Sequence, residues 1–213
     1  MTGIKCVIFD FGGVIGKPQD REYLEKMIQI SGLEEAAFRR EYRTRRHEYD
    51  RGVVTADEYW NNVLADSPAK DDGEILGKLI EYDVASWTRI NETTKSYILG
   101  LLQKGIPVAV LSNINVETVR HLATHQPWIA GLDTTIFSCE LKRIKPEREI
   151  YEICARNVEK EPHECLFIDD TYLNVEAARN FGMNALLFES AEQMMHDIET
   201  RYELLSEDAL VNR

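Results

Sequence analysis

The stretch KCVIFDFGGVIG, residues 5–16, leads from an apolar run into a carboxylate and a pair of glycines. Lys5–Phe9 is too short for a helix and predicts a buried strand. Asp10 follows the run directly, and Gly12 and Gly13 permit a tight turn whose backbone can approach a ligand closely. The stretch therefore predicts a strand that ends by presenting a carboxylate at a turn.

Four further apolar runs are equally short and are bounded by Gly, Pro, Asn or Asp, which predicts four more strands. They are Val108–Leu111, Thr135–Ser138, Leu166–Ile168 and Ala185–Phe188. Helix-like segments accompany these runs. They are Glu92–Lys104, Glu117–Thr124, Glu147–Asn157 and Asn174–Asn180. The alternation favours an α/β fold with a Rossmann-like parallel sheet that helices cover on both faces.

Residues 17–88 interrupt this alternation, because they contain helix-like segments and no convincing strand. The predicted helices are Arg21–Ile30, Glu34–Tyr49, Ala56–Leu64 and Glu74–Tyr82. We therefore expect two domains: residues 1–16 and 89–213 form a core, and residues 17–88 form a helical domain inserted after the first strand.

Composition narrows the class of protein. The chain has 213 residues and a formal net charge of -12, which argues against an extended nucleic-acid interface but not against a small anionic substrate. No signal peptide or long apolar span is visible, so we expect a soluble, cytoplasmic protein that does not bind membranes. The four cysteines form no CxxC pair, and we expect buried thiols rather than disulfides.

Polar residues lie where the predicted strands end. In an open parallel sheet, the carboxyl ends of the strands form one ligand-binding edge. The residues that this rule brings together are Asp10, Ser112, Asn113, Lys145, Asp169 and Asp170. Each aspartate and the Ser112-Asn113 pair alone fit a turn or a helix cap, and a lone Lys-Pro pair is a weak signal. Their combination at equivalent strand ends favours a functional site instead.

Three carboxylates in one crevice repel each other unless a cation is present. Mg²⁺ prefers oxygen ligands and leaves room for water and phosphate. Lys145 adds a further positive charge, and Ser112 can donate a hydrogen bond to an anionic oxygen. With Asp10 as a nucleophile, the set fits phosphoryl transfer through an aspartyl-phosphate.

The motifs that carry these residues are FDFGGV, VLSN, KP and FIDD, in that order. Their order resembles the four motifs of the haloacid dehalogenase-like (HAD) superfamily, over nearly the whole chain. Within the superfamily, DFGGVI, LSNIN, KPEREIY and FIDDTYLNVEAARNFGM are most similar to the bacterial alpha-D-glucose-1-phosphate phosphatase subgroup. The resemblance implies that the helical insertion is the cap domain of the superfamily.

The resemblance also implies roles for residues. Asp10 would be the nucleophile and a metal ligand, together with the backbone carbonyl of Gly12 and the carboxylate of Asp170. Asp169 would be a further ligand or would support one, and Asn174 would lie near the metal. Those expected to act on the transferring phosphate are Ser112, Asn113 and Lys145.

Gly12 departs from the pattern of the superfamily. Most of its phosphatases have a second Asp at this position, which protonates the leaving group and then activates water. Such help is worth about 10²–10⁴-fold in rate. Three explanations stay open: a substrate with a better leaving group, such as a sugar anomeric oxygen; a proton donor from the cap; or a weak or inactive relative. Gly12 argues against a phosphomutase.

The arginine-rich segment 38–52 has two interpretations. Its charges can form ordinary surface pairs along helices. Alternatively, some of its side chains face the cleft, where they would bind phosphate or sugar hydroxyls and supply the missing proton. The candidates are Arg43, Arg46, His47 and Tyr49.

Two smaller expectations concern charges and aromatic residues elsewhere. Lys142 and Arg143 precede the KP motif as solvated surface charges, with a more cationic cleft as the alternative. The tryptophans are expected to pack in the interior rather than to form a sugar platform. They are Trp60, Trp87 and Trp128.

The sequence therefore predicts a magnesium-dependent phosphatase for a small phosphomonoester, such as a sugar phosphate. One rival is a 2-haloacid dehalogenase, in which Asp10 attacks carbon without a metal. The other is a non-catalytic binding or regulatory relative, which Gly12 keeps open. The substrate and the oligomeric state stay open as well.

Overall fold

The computed structural model describes residues 3–70, 72–202 and 204. A five-stranded sheet lies at its centre, with the order β3-β2-β1-β4-β5 and only parallel pairs. The strands are β1 (Cys6–Phe9), β2 (Val108–Ser112), β3 (Thr134–Phe137), β4 (Cys165–Asp169) and β5 (Asn184–Leu187). The predicted strands and the α/β fold class are confirmed, and each strand boundary differs from its prediction by one residue or none.

The pairing register aligns the ends of the three inner strands. Phe9 of β1 lies beside Val110 of β2 and Ile168 of β4. The residues that follow this row therefore emerge at one edge of the sheet.

The inner strands are buried on both faces, which explains why they appear in the sequence as continuous apolar runs. Val7 and Phe9 belong to one hydrophobic cluster, whereas Cys6 and Ile8 belong to another. This division follows from the period of two in a strand. All four cysteines are buried and unpaired, as expected.

Six helices accompany the sheet. They are α6 (Glu92–Gln103), α7 (Val116–His125), α8 (Ser138–Leu141), α9 (Arg148–Asn157), α10 (Tyr172–Phe181) and α11 (Ala191–Arg201). Residues of α6 and α11 pack in the cluster of Val7 and Phe9, and residues of α9 and α10 pack in the cluster of Cys6 and Ile8. The short α8 was not predicted from the sequence.

Among the described residues, five α-helices lie in the segment 17–88, between β1 and α6. They are α1 (Arg21–Ser31), α2 (Glu35–Thr44), α3 (Arg46–Asp50), α4 (Ala56–Val63) and α5 (Gly73–Trp87). A third hydrophobic cluster, around Phe38 and Trp60, consists entirely of residues from this segment. We call residues 17–88 the cap, and we propose that they form a domain of their own.

The predicted single helix over Glu34–Tyr49 is wrong. Arg45 leaves the helical conformation, with φ -113° and ψ 12°, so that α2 ends at Thr44 and α3 begins at Arg46. No glycine or proline marks this break in the sequence. The separate α3 has Tyr49 and Asp50 buried, and it is the element that carries Arg46.

The cap helix α5 is longer than its predicted span, Glu74–Tyr82, and extends to Trp87. Among the described residues, no helix has the length and apolar character that crossing a membrane requires.

Candidate active site

Asp10 stands at the turn after β1. The backbone N–H of Phe11 donates a hydrogen bond of 2.6 Å to its Oδ1 atom. Gly13 makes this turn possible, because it has a φ of +76° and a Cβ there would lie 2.0 Å from Oδ2 of Asp170. The second glycine of the pair is therefore required both by the backbone conformation and by the approach of a carboxylate.

Lys145 links the carboxylates of two strands. Its Nζ atom lies 2.8 Å from Oδ1 of Asp10 and 2.6 Å from Oδ2 of Asp169, and it donates to the carbonyl of Leu111 at 3.0 Å. The side chain is fully buried. Its ammonium group is therefore held in place by β1, β2 and β4 together.

Asp169 is buried and has a fixed orientation. Asn174 donates to both of its carboxylate oxygens at 3.1 Å, and the N–H of Thr171 donates to Oδ1 at 2.8 Å. Asp170 is exposed and lies against Gly13. Ligand atoms of Asp10, Asp169 and Asp170 all lie within 4.8 Å of one another.

Ser112 and Asn113 have different surroundings at the end of β2. Ser112 makes a side-chain hydrogen bond to Asp10. The amide of Asn113 is engaged on both sides, since Nδ2 donates to the carbonyl of Lys145 at 2.9 Å and Oδ1 accepts from its N–H at 2.8 Å. The Asn113 side chain therefore fixes the backbone at Lys145. Because this amide is already occupied, the backbone N–H of Asn113 is the group of this residue that is suited to bind an incoming anion.

The charges of the site are unbalanced. Burial raises the pKa of Asp10 to about 7, with Lys145 opposing and Asp169 adding to the shift. Burial and the charge of Asp169 also raise the pKa of Asp170. Desolvation favours the neutral amine of Lys145, but Asp10 and Asp169 outweigh it and hold its pKa above the ordinary value. Three carboxylates thus share one ammonium group, and this excess of negative oxygen ligands fits a hard divalent cation.

Comparison with known proteins agrees with this geometry. A family model described as haloacid dehalogenase-like hydrolase matches residues 4–182. The chain belongs to the haloacid dehalogenase-like hydrolases. The superfamily that the motifs resemble is thereby confirmed.

This HAD hydrolase is similar to two relatives, of which it spans very different shares. Bifunctional epoxide hydrolase 2 of Sus scrofa is 23% identical over 97% of the chain, which spans only 40% of that protein. D-ribitol-5-phosphate phosphatase of Bacteroides thetaiotaomicron is 26% identical over 84% of the chain and 89% of the relative.

Solved structures share the fold of this HAD hydrolase. A HAD family enzyme from Bacteroides thetaiotaomicron, in complex with magnesium and inorganic phosphate, has a TM-score of 0.75 at 21% identity and covers 91% of this chain and 98% of its own. L-2-haloacid dehalogenase from Xanthobacter autotrophicus has a TM-score of 0.65 at 18% identity, with 93% and 83% covered.

A cavity of about 350 Å³ separates the cap of the HAD hydrolase from its strand ends. Gly12 and Ser112 border it from the core, and Arg46, His47 and Trp87 border it from the cap. Two of the four candidate cap residues, Arg46 and His47, therefore reach the cleft.

The other two candidate cap residues do not border this cavity. Arg43 is exposed on α2. Tyr49 is buried, and its hydroxyl donates to Oε2 of Glu117 at 2.8 Å. Its contact with α7 attaches the cap to the core.

Arg46 lies in a network of charges inside the cap. Nε contacts the two oxygens of Asp50 at 3.0 and 3.1 Å, and Nη1 contacts both oxygens of Asp83 at 2.9 Å. Nη1 also donates to the hydroxyl of Tyr42 at 2.9 Å. Two carboxylates compensate the one guanidinium, so Arg46 is poorly suited to act as the main cation for a phosphate.

Trp87 borders the cavity, which its sequence context did not predict. We expected a packing residue, but the indole is half-buried and borders the cavity, and its ring lies 3.9 Å from the point where a Cβ of residue 12 would be. Its Nε1 donates to the hydroxyl of Tyr42 at 3.2 Å. The available signal was its place at the end of the cap, where the chain returns to the core.

Asp50 also borders the cavity and was not singled out. Lys142 is exposed, as expected, and its Nζ also donates to the carbonyls of Gly52 and Cys139. It thereby attaches the cap to the core, and Arg143 is exposed as expected.

Proposed function

We propose that this chain is a magnesium-dependent phosphatase that hydrolyses a small phosphomonoester. The observation that carries the proposal is the buried Lys145 ammonium between Asp10 and Asp169, with Asp170 completing a group of three carboxylates. The B. thetaiotaomicron relative, a D-ribitol-5-phosphate phosphatase by name, supports the choice of reaction.

Each residue has a role in this reaction. An oxygen of Asp10 attacks phosphorus, a bond to the phosphoryl group forms, and the bond to the leaving oxygen breaks. Lys145 holds Asp10 in place and offsets the charge of the phosphoryl oxygens. Ser112 and the N–H of Asn113 donate hydrogen bonds to those oxygens.

Asp10, Asp170 and the Gly12 carbonyl would hold Mg²⁺, and Asp169 either joins them or supports them through its bond to Lys145. When bound, the ion supplies positive charge against the carboxylates and the phosphoryl oxygens. Asn174 keeps Asp169 oriented, since it donates to both of its oxygens.

The cavity favours a neutral, hydroxylated leaving group. Its cap side combines the indole of Trp87 with the polar groups of His47 and Asp50. A second phosphate on the substrate would need an uncompensated cation there, and Arg46 is already paired with two carboxylates. We therefore propose a sugar or polyol phosphate as the substrate.

A dehalogenase fits the group of carboxylates less well. Attack on carbon requires no cation, and the charges of Asp169 and Asp170 would then be offset by Lys145 alone. The likeness to L-2-haloacid dehalogenase is one of fold, at 18% identity.

The test is hydrolysis of a panel of phosphate esters, including p-nitrophenyl phosphate and polyol phosphates, with Mg²⁺ or with EDTA. We expect turnover that EDTA abolishes and that Asp10→Asn lacks. Release of halide from 2-chloropropionate in EDTA would instead identify a dehalogenase. Absence of turnover by a folded, Mg²⁺-binding protein would identify a non-catalytic relative.

A further inference from the structure

Gly12 leaves the leaving oxygen without a proton donor from the turn after β1. An alkoxide is a poor leaving group, so a phosphatase for alkyl esters needs a general acid. That acid must border the same cavity as Gly12. Among the described residues that border it, the titratable side chains are Arg46, Asp50 and His47.

Two of these three are poorly suited to proton transfer. A guanidinium does not release its proton in a protein. Asp50 is buried, and both of its oxygens accept from Nε of Arg46. Burial raises the pKa of Asp50, but Arg46 occupies both of the oxygens that would have to carry and donate a proton.

His47 is free to act. Its side chain is exposed at the cavity, and within residues 3–70, 72–202 and 204 its ring nitrogens have no hydrogen-bond partner. Imidazole is the side chain that most readily donates and accepts a proton near neutral pH. Asp50, three residues further along α3, interacts electrostatically with His47.

We propose that His47 takes the place of the acid that position 12 lacks. The proposal rests on the proposed phosphatase function. As Asp10 attacks phosphorus and the ester bond breaks, the His47 imidazolium gives its proton to the leaving oxygen, which departs as an alcohol. Water then attacks the phosphoryl group on Asp10, and neutral His47 accepts the proton that the water loses. Phosphate and the Asp10 carboxylate are released, and His47 is protonated again.

Asp50 acts on this step as a positioning residue. Arg46 fixes its carboxylate, and Asp83 with Tyr42 fixes Arg46 in turn. The network thereby holds α3, and with it His47, at one place above the strand ends.

The test compares leaving groups. p-Nitrophenolate departs without a proton, whereas the alcohol of a polyol phosphate does not. With Mg²⁺ present, we expect His47→Asn to lower kcat on a polyol phosphate by about 10²-fold or more, and on p-nitrophenyl phosphate by only a few-fold. The matched control is His125→Asn, an exposed histidine on α7 outside the cavity, which should change neither rate.

A rescue variant separates proton transfer from a structural role. Gly12 has φ -64° and ψ 128°, and a Cβ there meets nothing nearer than Trp87 at 3.9 Å, so the backbone accepts a residue that has a side chain. Gly12→Asp in the His47→Asn background should restore most of the rate on the polyol phosphate.

Equal loss on both substrates without rescue would overturn the assignment of His47, and so would no loss on either. Both results presuppose a wild-type protein that hydrolyses p-nitrophenyl phosphate with Mg²⁺. If the wild type hydrolyses neither ester, the proposed function itself fails.

Discussion

Lys145 is the residue on which the charges of the site depend most. It is fully buried and is the contact shared by Asp10 and Asp169. Removing one partner of a buried ion pair leaves a charge without compensation, which costs about 3–5 kcal/mol.

Lys145→Met should therefore lower the free energy of unfolding by about 3–5 kcal/mol in EDTA at pH 8, as measured by urea denaturation. Asp10→Asn is the matched control for Lys145→Met, because it removes the carboxyl group whose pKa burial has raised to about 7. We expect the free energy of unfolding of Asp10→Asn to equal or exceed that of the wild type. Equal destabilisation by both variants would contradict this account of the charges.

Gly13 and Gly12 provide a second test at the scale of single residues. Gly13→Ala places a Cβ 2.0 Å from Oδ2 of Asp170 on a backbone with φ +76°, whereas Gly12→Ala meets nothing nearer than 3.9 Å. We expect Gly13→Ala to lose Mg²⁺ binding, measured by isothermal titration calorimetry, and Gly12→Ala to retain it. Retained binding in Gly13→Ala would show that the turn can adjust.

The residues of the core site could be predicted, and those of the cap could be predicted only in part. Asp10, Ser112 and Asp169 each follow or end an apolar run, so the parallel sheet alone brings them together. The contribution of Trp87 depends instead on how five helices pack against one another, which no local pattern records.

At the scale of elements, the strands of the core could again be predicted from the sequence, whereas one helix boundary in the cap could not. Each buried strand is a short apolar run, and for that reason the strand boundaries were predictable. The break between α2 and α3 at Arg45 has no glycine or proline, and it arises where Arg46 is bound by Asp83 and Asp50. The tertiary ion pair between Arg46 and Asp83 thus lies at a helix boundary that helix propensity does not indicate.

The element α3 is attached to the core by contacts near its end. Arg51 forms an ion pair with Glu147, and Lys142 donates to the carbonyl of Gly52. Because α3 carries His47, these contacts attach the part of the cap that borders the cavity to the core.

Arg51→Ala should raise KM for a polyol phosphate by about 3–10-fold while lowering the free energy of unfolding by less than about 1 kcal/mol, since the pair is partly exposed. Steady-state kinetics and urea denaturation measure the two effects. Arg43→Ala is the control, because Arg43 is exposed on α2 and outside the cavity. An unchanged KM in Arg51→Ala would show that this attachment does not position α3 for substrate.

At the scale of the whole molecule, the site links stability to pH and metal. Without metal, the pKa of Asp10 rises from 3.8 to about 7 on folding. Between these two pH values, Asp10 is protonated in the folded protein and ionised in the unfolded chain. That contribution to stability is complete below pH 3.8 and disappears as the pH rises through about 7.

Binding of Mg²⁺ requires the carboxylate form of Asp10. The increase in Tm caused by Mg²⁺ should therefore be larger at pH 8 than at pH 6, as measured by differential scanning calorimetry. Asp10→Asn should lose most of this dependence on pH. A metal effect that is the same at both pH values would contradict the assignment of Asp10 as a ligand.

The central position of β1 also has a consequence during protein synthesis. Val7 pairs with Val108 and Leu166, which come later in the chain. The strand that precedes Asp10 is therefore synthesised before both of its neighbours, and it pairs with them only after the whole cap has been translated. Long-range parallel pairing is slow to form. The cap has its own apolar cluster and can collapse earlier, while the nascent β1 stays an unpaired apolar segment that a chaperone could bind.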